Sequence, residues 1–576
     1  MKNFVLGFVI GLLFVIVGAG ILAYAAMHAG ERAPSIPNGA TLVLHLQGDV
    51  PEQPPVELPP IPLLSQQQPL TMLETWQMLR KAAVDTRIKA LVIEPSDLTA
   101  GWAKLQELHD DIEQFKKSGK PVYAYLRGAS AHEYYVATAA DNIYMSPEDE
   151  LDVKGIRVEL MFFKGLLDKF GVDMEFEHIG KYKDAPDEFT RTTPTPETVQ
   201  VMNDVLDQYY GNLVSVIAQG RKRTPDQVRA AIDTGPFVGK ETVNNGLVDD
   251  LIFEDQMYGK LKDQIHADIK RVSDQDYVHA SVAGTEGPTK IAWLVGEGDI
   301  TRGGPDETDT GDGITAYNMV RRMRQIENDS SIKGVIFRID SPGGDGIASD
   351  DILNAAKELS SKKPMIISMS DLAASGGYFI AVTGDPMIAY PNTLTGSIGV
   401  FFGKADLQAL YQKLGITTTI LKRGTFADID SMTRPLNDAE QAKLHTELEV
   451  FYHGFVERVA AARKKPYGQI EPLAQGRVWL GEQAKQNGLV DDLGGIDRAV
   501  EMIKQRLRIP ASEKITLVTY PPRRSWLDLL LNRGGDSADV DAAIRRRAQA
   551  IAPGVPLDAL LHGGILRLMP YGINVR

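Results

Sequence analysis

The chain repeats itself, and any fold it adopts must accommodate that. Ile88-Lys-Ala-Leu-Val-Ile93 returns as Ile332-Lys-Gly-Val-Ile-Phe337, and Lys120-Pro-Val-Tyr-Ala-Tyr125 as Lys363-Pro-Met-Ile-Ile-Ser368. Tyr134-Tyr-Val-Ala returns as Tyr378-Phe-Ile-Ala, and Asn245-Gly-Leu-Val-Asp249 as Asn487-Gly-Leu-Val-Asp491. A spacing near 244 residues, held over so many segments, is a duplication of whole domains. The unit is too long for a solenoid repeat.

Within each copy short β-branched runs alternate with helical segments such as 102–118 and 347–360, the pattern of an α/β fold with a largely buried sheet. Later in each copy, 195–222 and 437–465 read as long amphipathic helices. The resulting division is 1–30, a transmembrane signal-anchor; 31–70, a strand and proline-rich linker; 71–285 and 286–510, the two repeats; and 511–576, a C-terminal extension. No repeat partner is expected beyond Ala511, where 515–519 reads as an edge strand and 526–531 as a short helix. Six prolines between Pro51 and Pro62 predict an extended spacer.

Phe4 to Met27 is an uncharged apolar run behind a single lysine, long enough to cross a bilayer as helix. Lys2 favours an inside amino end and puts the rest outside the cytoplasm. The small residues Ala23 and Ala25 also suit a cleaved signal peptide, but the run exceeds a usual signal core.

A net charge of -14 argues against a nucleic-acid partner. The absence of cysteine excludes thiol nucleophiles, disulfides and thiolate metal sites. Gly296-Glu-Gly-Asp-Ile-Thr301 lacks the third glycine of a dinucleotide loop, and His132-Glu133 lacks the second histidine of a zinc helix. No cofactor or metal is expected.

Differences between the copies point to a division of labour. Ser375, in Ala373-Ala-Ser-Gly-Gly377, aligns with Ala131, and the glycines that follow it align with His132 and Glu133. Lys183, in Gly180-Lys-Tyr-Lys-Asp184, aligns with Ala427. One copy thus holds a serine without the lysine, the other the lysine without the serine. A serine hydroxyl attacks a carbonyl only when a base takes its proton, and lysine serves as that base when burial lowers its pKa. Singly, Ser375 reads as a helix cap and Lys183 as a surface lysine; together they read as a catalytic pair.

Ser341-Pro-Gly-Gly-Asp345, at a strand end, offers backbone N–H groups for a developing oxyanion. Gly344 is the preferred donor and Gly376 the second, and Ser397 in Thr395-Gly-Ser-Ile-Gly399 is placed to orient the lysine. Asp340 or Asp345 with His445 or His453 leaves a Ser–His–acid triad open, although no histidine lies in the glycine-bearing turns of the second copy.

On Ser341-Pro-Gly-Gly344, Ala373-Ala-Ser-Gly-Gly-Tyr378, Leu394-Thr-Gly-Ser-Ile-Gly399 and Gly180-Lys-Tyr-Lys-Asp184, the chain resembles the long-form bacterial signal peptide peptidase A family, or protease IV. The resemblance spans the anchor to about residue 505. It implies tandem ClpP/crotonase-like α/β domains, with Ser375 as nucleophile, Lys183 as general base, and Lys181 and Lys404 as fallbacks. It further implies a homotetrameric bowl on the outer face of the cytoplasmic membrane, and released signal peptides as substrates. Two other readings remain: a crotonase-like acyl-CoA enzyme, because that fold also holds oxyanions on glycine N–H groups, and a catalytically silent membrane scaffold.

Overall fold

In the computed structural model, residues 35–54, 68–304, 313–522 and 565–569 are described. The apolar run Phe4–Met27 and the helix expected at 526–531 lie outside them. No helix of the described residues is long and apolar enough to cross a membrane.

The first copy supplies β1 (Ala40–Gly48), β2 (Ile88–Leu98), β3 (Val122–Leu126), β4 (Ala129–Ser130) and β5 (Asn142–Met145). It continues with β6 (Glu150–Asp152), β7 (Asp173–Ile179), β8 (Phe237–Val238), β9 (Asp250–Leu251) and β10 (Lys270–Ser273). The second copy supplies β11 (Thr289–Glu297), β12 (Ile300–Thr301), β13 (Ile314–Thr315), β14 (Ile332–Ser341), β15 (Gly343–Asp345) and β16 (Met365–Ala374). After these come β17 (Met387–Ala389), β18 (Leu394–Gly396), β19 (Val400–Asp406), β20 (Val478–Leu480), β21 (Asp492–Leu493), β22 (Ile515–Tyr520) and β23 (Ile565–Leu568).

Each copy is built on a parallel sheet, ordered β10-β1-β2-β3-β5-β9 in the first and β22-β11-β14-β16-β17-β21 in the second. The central strands are buried on both faces, with all of β3 and all of β14 except Lys333 and Asp340 enclosed, which is why they read as continuous apolar runs. Helices Trp102–Lys116, Gly346–Lys362, Pro196–Gly220 and Asp438–Arg463 occupy the expected segments. The duplication extends to single contacts: the Tyr134 hydroxyl donates to Leu247 O as Tyr378 does to Leu489 O, and Arg221 pairs with Asp249 as Arg463 does with Asp491.

Two expectations change. The repeat does not stop at Ala511: β22 lies beside β11 as β10 lies beside β1, so 515–520 is the counterpart of 270–273. The match was invisible because two edge strands need share only β propensity, not residues. Nor is the start of the proline-rich stretch only an extended spacer, and β1, ahead of it, is an interior strand of the first sheet. Glu52 is buried and accepts two hydrogen bonds, of 2.9 and 2.7 Å, from the enclosed Arg338 guanidinium, which also reaches Glu107 and Ser368. Nearby, Asp371 accepts the N–H groups of Gly101 and Lys104, capping helix Trp102–Lys116, while Lys104 pairs with Asp340 at 2.9 Å. These buried charges bind the two copies together.

A third sheet, ordered β13-β12-β15-β23-β19-β7, crosses between the copies, with β7 of the first antiparallel to β19 of the second. It brings the turn that carries the lysine to the copy that carries the serine.

Candidate active site

β16 runs past its apolar start to Ala374, because Ala373 and Ala374 pair with Thr395 and Gly396 of β18. Ser375 follows at once and opens helix Gly376–Ala381. Its backbone has φ 53° and ψ -112°, a left-handed conformation that costs a non-glycine residue about 1–3 kcal/mol. Hydrogen bonds from Ser375 N to Gly396 O and from Phe379 N to Ser375 O, both 2.8 Å, hold it there. The side chain makes no capping bond, so the bland reading of this serine as a helix cap fails.

Lys183 Nζ lies 3.0 Å from Ser375 Oγ. It also donates to Ser397 Oγ at 3.0 Å and to Ser397 O at 3.4 Å, and all three residues are fully enclosed. Ser397 is itself at positive φ. The structure therefore brings together one residue of the first copy and two of the second. The lysine stem threads between two glycines: a Cβ on Gly399 would sit 3.1 Å from Lys183 Cδ, and one on Gly476 would sit 2.6 Å from Lys183 Cβ. Sequence reasoning did not single out Gly476, because nothing local marks it. The adjacent Asp184 carboxyl, raised to about 6 by burial, accepts a hydrogen bond from Thr198 Oγ1 that opposes the rise.

Gly376 is the first residue of the helix, where N–H groups have no intrahelical acceptor and favour negative charge. Gly377 packs on Ser341: a Cβ there would lie 2.5 Å from Ser341 O. Gly344 sits in β15 at φ 149°, paired with Ile300 of β12 on one side and Arg567 of β23 on the other. The first copy differs at this helix end. Glu133, at the position of Gly377, turns its carboxylate onto the N–H groups of Ser130 and Leu98 and is buried there. That carboxylate completes a capping box with Ser130, and the second copy has Gly377 at its position.

The remaining sequence candidates lie elsewhere. Lys181 is exposed with its amine over the Tyr182 ring, and Lys404 is buried against Glu175 and the carbonyls of Ser431 and Arg434. His445 and His453 are exposed and paired with Glu177 and Tyr467, Asp340 holds Lys104, and Asp345 caps helix Gly346–Lys362. These placements give a Ser–His–acid triad no support.

The sequence profile of peptidase family S49 matches residues 114–268 and 357–509, one match in each copy and together more than half the chain. The chain belongs to peptidase family S49. A chloroplastic serine protease SPPA of Arabidopsis thaliana is 33% identical over 81% of this chain and 70% of its own length. Protease 4 of Haemophilus influenzae is 31% identical over 85% of this chain and 83% of its own length, and protease 4 of Salmonella typhi 29% identical over 96% and 91%. As an S49 peptidase the chain is an enzyme, a serine protease of the family's Ser/Lys type that acts on peptides.

Proposed function

We propose that Ser375 is the nucleophile and Lys183 its general base in the hydrolysis of released signal peptides and other unfolded apolar peptides. The observation that carries this reading is the 3.0 Å approach of Lys183 Nζ to Ser375 Oγ, made by residues that the two copies hold reciprocally. The neutral amine takes the serine proton as Oγ attacks the scissile carbonyl and hands it to the departing nitrogen as the C–N bond breaks; neutral again, it takes a proton from the water that hydrolyses the acyl-enzyme and returns it to Ser375 Oγ. Gly344 and Gly376 N–H groups carry the oxyanion, a role supported for Gly376 by its place as first residue of helix Gly376–Ala381, where N–H groups have no intrahelical acceptor. Ser397 orients the amine through its 3.0 Å contact. Enclosure disfavours the charged ammonium, which is what a base working near neutral pH needs.

Each copy is a ClpP/crotonase-like unit, and the amino-terminal apolar run anchors the enzyme with its catalytic part outside the cytoplasm, where signal peptides are released. A homotetramer fits the pairing pattern. Within one chain, β7 of the first copy pairs with β19 of the second. The reciprocal segments, 156–162 and 417–423, form no strand with each other, and 417–423 is exposed throughout. A second chain joined head to tail would complete that pair, and a heterologous contact of this kind closes into a ring.

The test is labelling by a serine-directed phosphonylating probe, together with peptide hydrolysis, in Ser375→Ala and Lys183→Ala. Labelling is expected to vanish in the first, and turnover to fall about 10³-fold or more in the second. Labelling that survives without Ser375, or full turnover without Lys183, sinks the assignment.

A further inference from the structure

Arg477 follows the glycine that makes room for the lysine stem, and it holds the site from two directions. Its carbonyl accepts the Ser397 N–H at 2.7 Å, and Ser397 in turn contacts the Lys183 amine. Its guanidinium crosses to the first copy, where Nη2 donates to Asp204 of helix Pro196–Gly220 at 2.7 Å and Nη1 to the Tyr182 hydroxyl at 3.4 Å. The same group lies over the Trp479 ring at 4.3 Å and over the Tyr182 ring at 5.2 Å. A planar cation that keeps its charge and stacks on aromatic faces suits this place, and its side chain is only 15% exposed.

Tyr182 immediately precedes the catalytic lysine, and its backbone N–H donates to Gln475 O at 2.9 Å. On the other side of the lysine, Asp184 accepts from Thr198, in the first turn of the helix that carries Asp204. The lysine turn is thus strung between helix Pro196–Gly220 and the segment leading into β20, and Arg477 joins these two supports. β20 pairs with β18, whose Gly396 O accepts the Ser375 N–H. One side chain therefore links what carries the base to what carries the nucleophile. The counterpart positions, with the copies exchanged, hold no such set. The equivalent turn of the first copy reads Thr234-Gly-Pro-Phe-Val238, without an arginine, while Thr446 stands for Asp204 and Phe426 for Tyr182. Arginine, acid and phenol occur where Lys183 meets Ser375, and are missing where alanines replace both.

We infer that Arg477 is a positioning residue, which sets the Lys183 amine against Ser375 Oγ by gripping Tyr182 and Asp204 of the first copy, and takes no part in bond making. The inference rests on the peptidase reading above and deepens it. A misplacement of 1 Å costs about 10²-fold in rate, so a relaxation of about half that costs about tenfold.

The experiment compares the full chain with Arg477→Met, which keeps an unbranched stem without charge or planar stack, and with Asp204→Asn, whose side chain is 36% exposed and keeps its shape. On a fluorogenic peptide, kcat should fall about tenfold in the first and about threefold in the second, with KM within twofold. The double variant should be no slower than Arg477→Met alone. In a Lys183→Ala background, Arg477→Met should change the residual rate of serine phosphonylation less than twofold, because it acts through the lysine; a merely structural loss would lower that rate too. Should Arg477→Met not fold, Asp204→Asn decides by the same two readings. A kcat within twofold of the parent, or a further fall in the Lys183→Ala background, overturns the inference. Lys183→Ala turning over as fast as the parent overturns the catalytic pair and this inference with it, whereas a slow Lys183→Ala beside an unimpaired Arg477→Met overturns this inference alone.

Discussion

Substituting Gly476 tests the catalytic pair without touching either member. A Cβ there would lie 2.6 Å from the Cβ and N of Lys183 and 2.7 Å from its Cα. Carbon atoms in contact sit about 3.5–4.0 Å apart, so the two backbones must separate by roughly 1 Å. The cost has two parts: about 1–2 kcal/mol for alanine at φ 75°, and about 1–3 kcal/mol for the forced shift. Gly476→Ala should therefore lose about 2–5 kcal/mol of unfolding free energy and remain folded if the parent has ordinary reserves. The catalytic effect should be larger. If Lys183 moves with its backbone, the 3.0 Å approach to Ser375 opens to roughly 4 Å, and a displacement of that size costs about 10²-fold in rate. The assay is steady-state hydrolysis of a fluorogenic peptide, with kcat expected to fall about 100-fold and KM little changed, because Gly476 lies behind the lysine. Gly468→Ala, where nothing lies within 4 Å of the new methyl, is the control and should behave as the parent. A folded Gly476→Ala protein that keeps kcat within twofold would refute the claim that the lysine must sit against the serine.

Two further outcomes follow from buried charge. Arg338→Met leaves Glu52 and Glu107 enclosed without their cation and should cost about 3–5 kcal/mol in urea unfolding; a loss under about 1 kcal/mol would show that this cluster does not clamp the copies together. For Asp184, burial raises the folded-state carboxyl to about 6 from 3.8, so the folded chain holds the proton more tightly than the unfolded one between those values. Its contribution to stability is fully present below about pH 4 and is lost as pH rises through 6, the loss amounting to about 3 kcal/mol at neutral pH. Asp184→Asn should accordingly gain stability over the parent at pH 8 but not at pH 4. Parallel urea midpoints for the two proteins across that range would discard the assignment.

What the sequence determined by itself was whatever repeats or alternates along the chain. Duplicated runs such as 88–93 and 332–337 made each copy's α/β character legible, because strand and helix periodicities are local. The reciprocal loss of Ser375 and Lys183 was legible for the same reason: it is a difference between aligned positions. Contacts between residues far apart in sequence leave no such trace. That Lys183 reaches Ser375 depends on β7 of one copy pairing with β19 of the other, and that its stem fits depends on bare backbone at Gly399 and Gly476. That Glu52, beside a run of prolines, is an enclosed ion-pair partner of Arg338 depends on how the copies dock. The short segment Ile565–Met569 was not singled out in the sequence, and only the tertiary structure says which edges it joins, because backbone hydrogen bonds pair strands with little regard to side-chain identity.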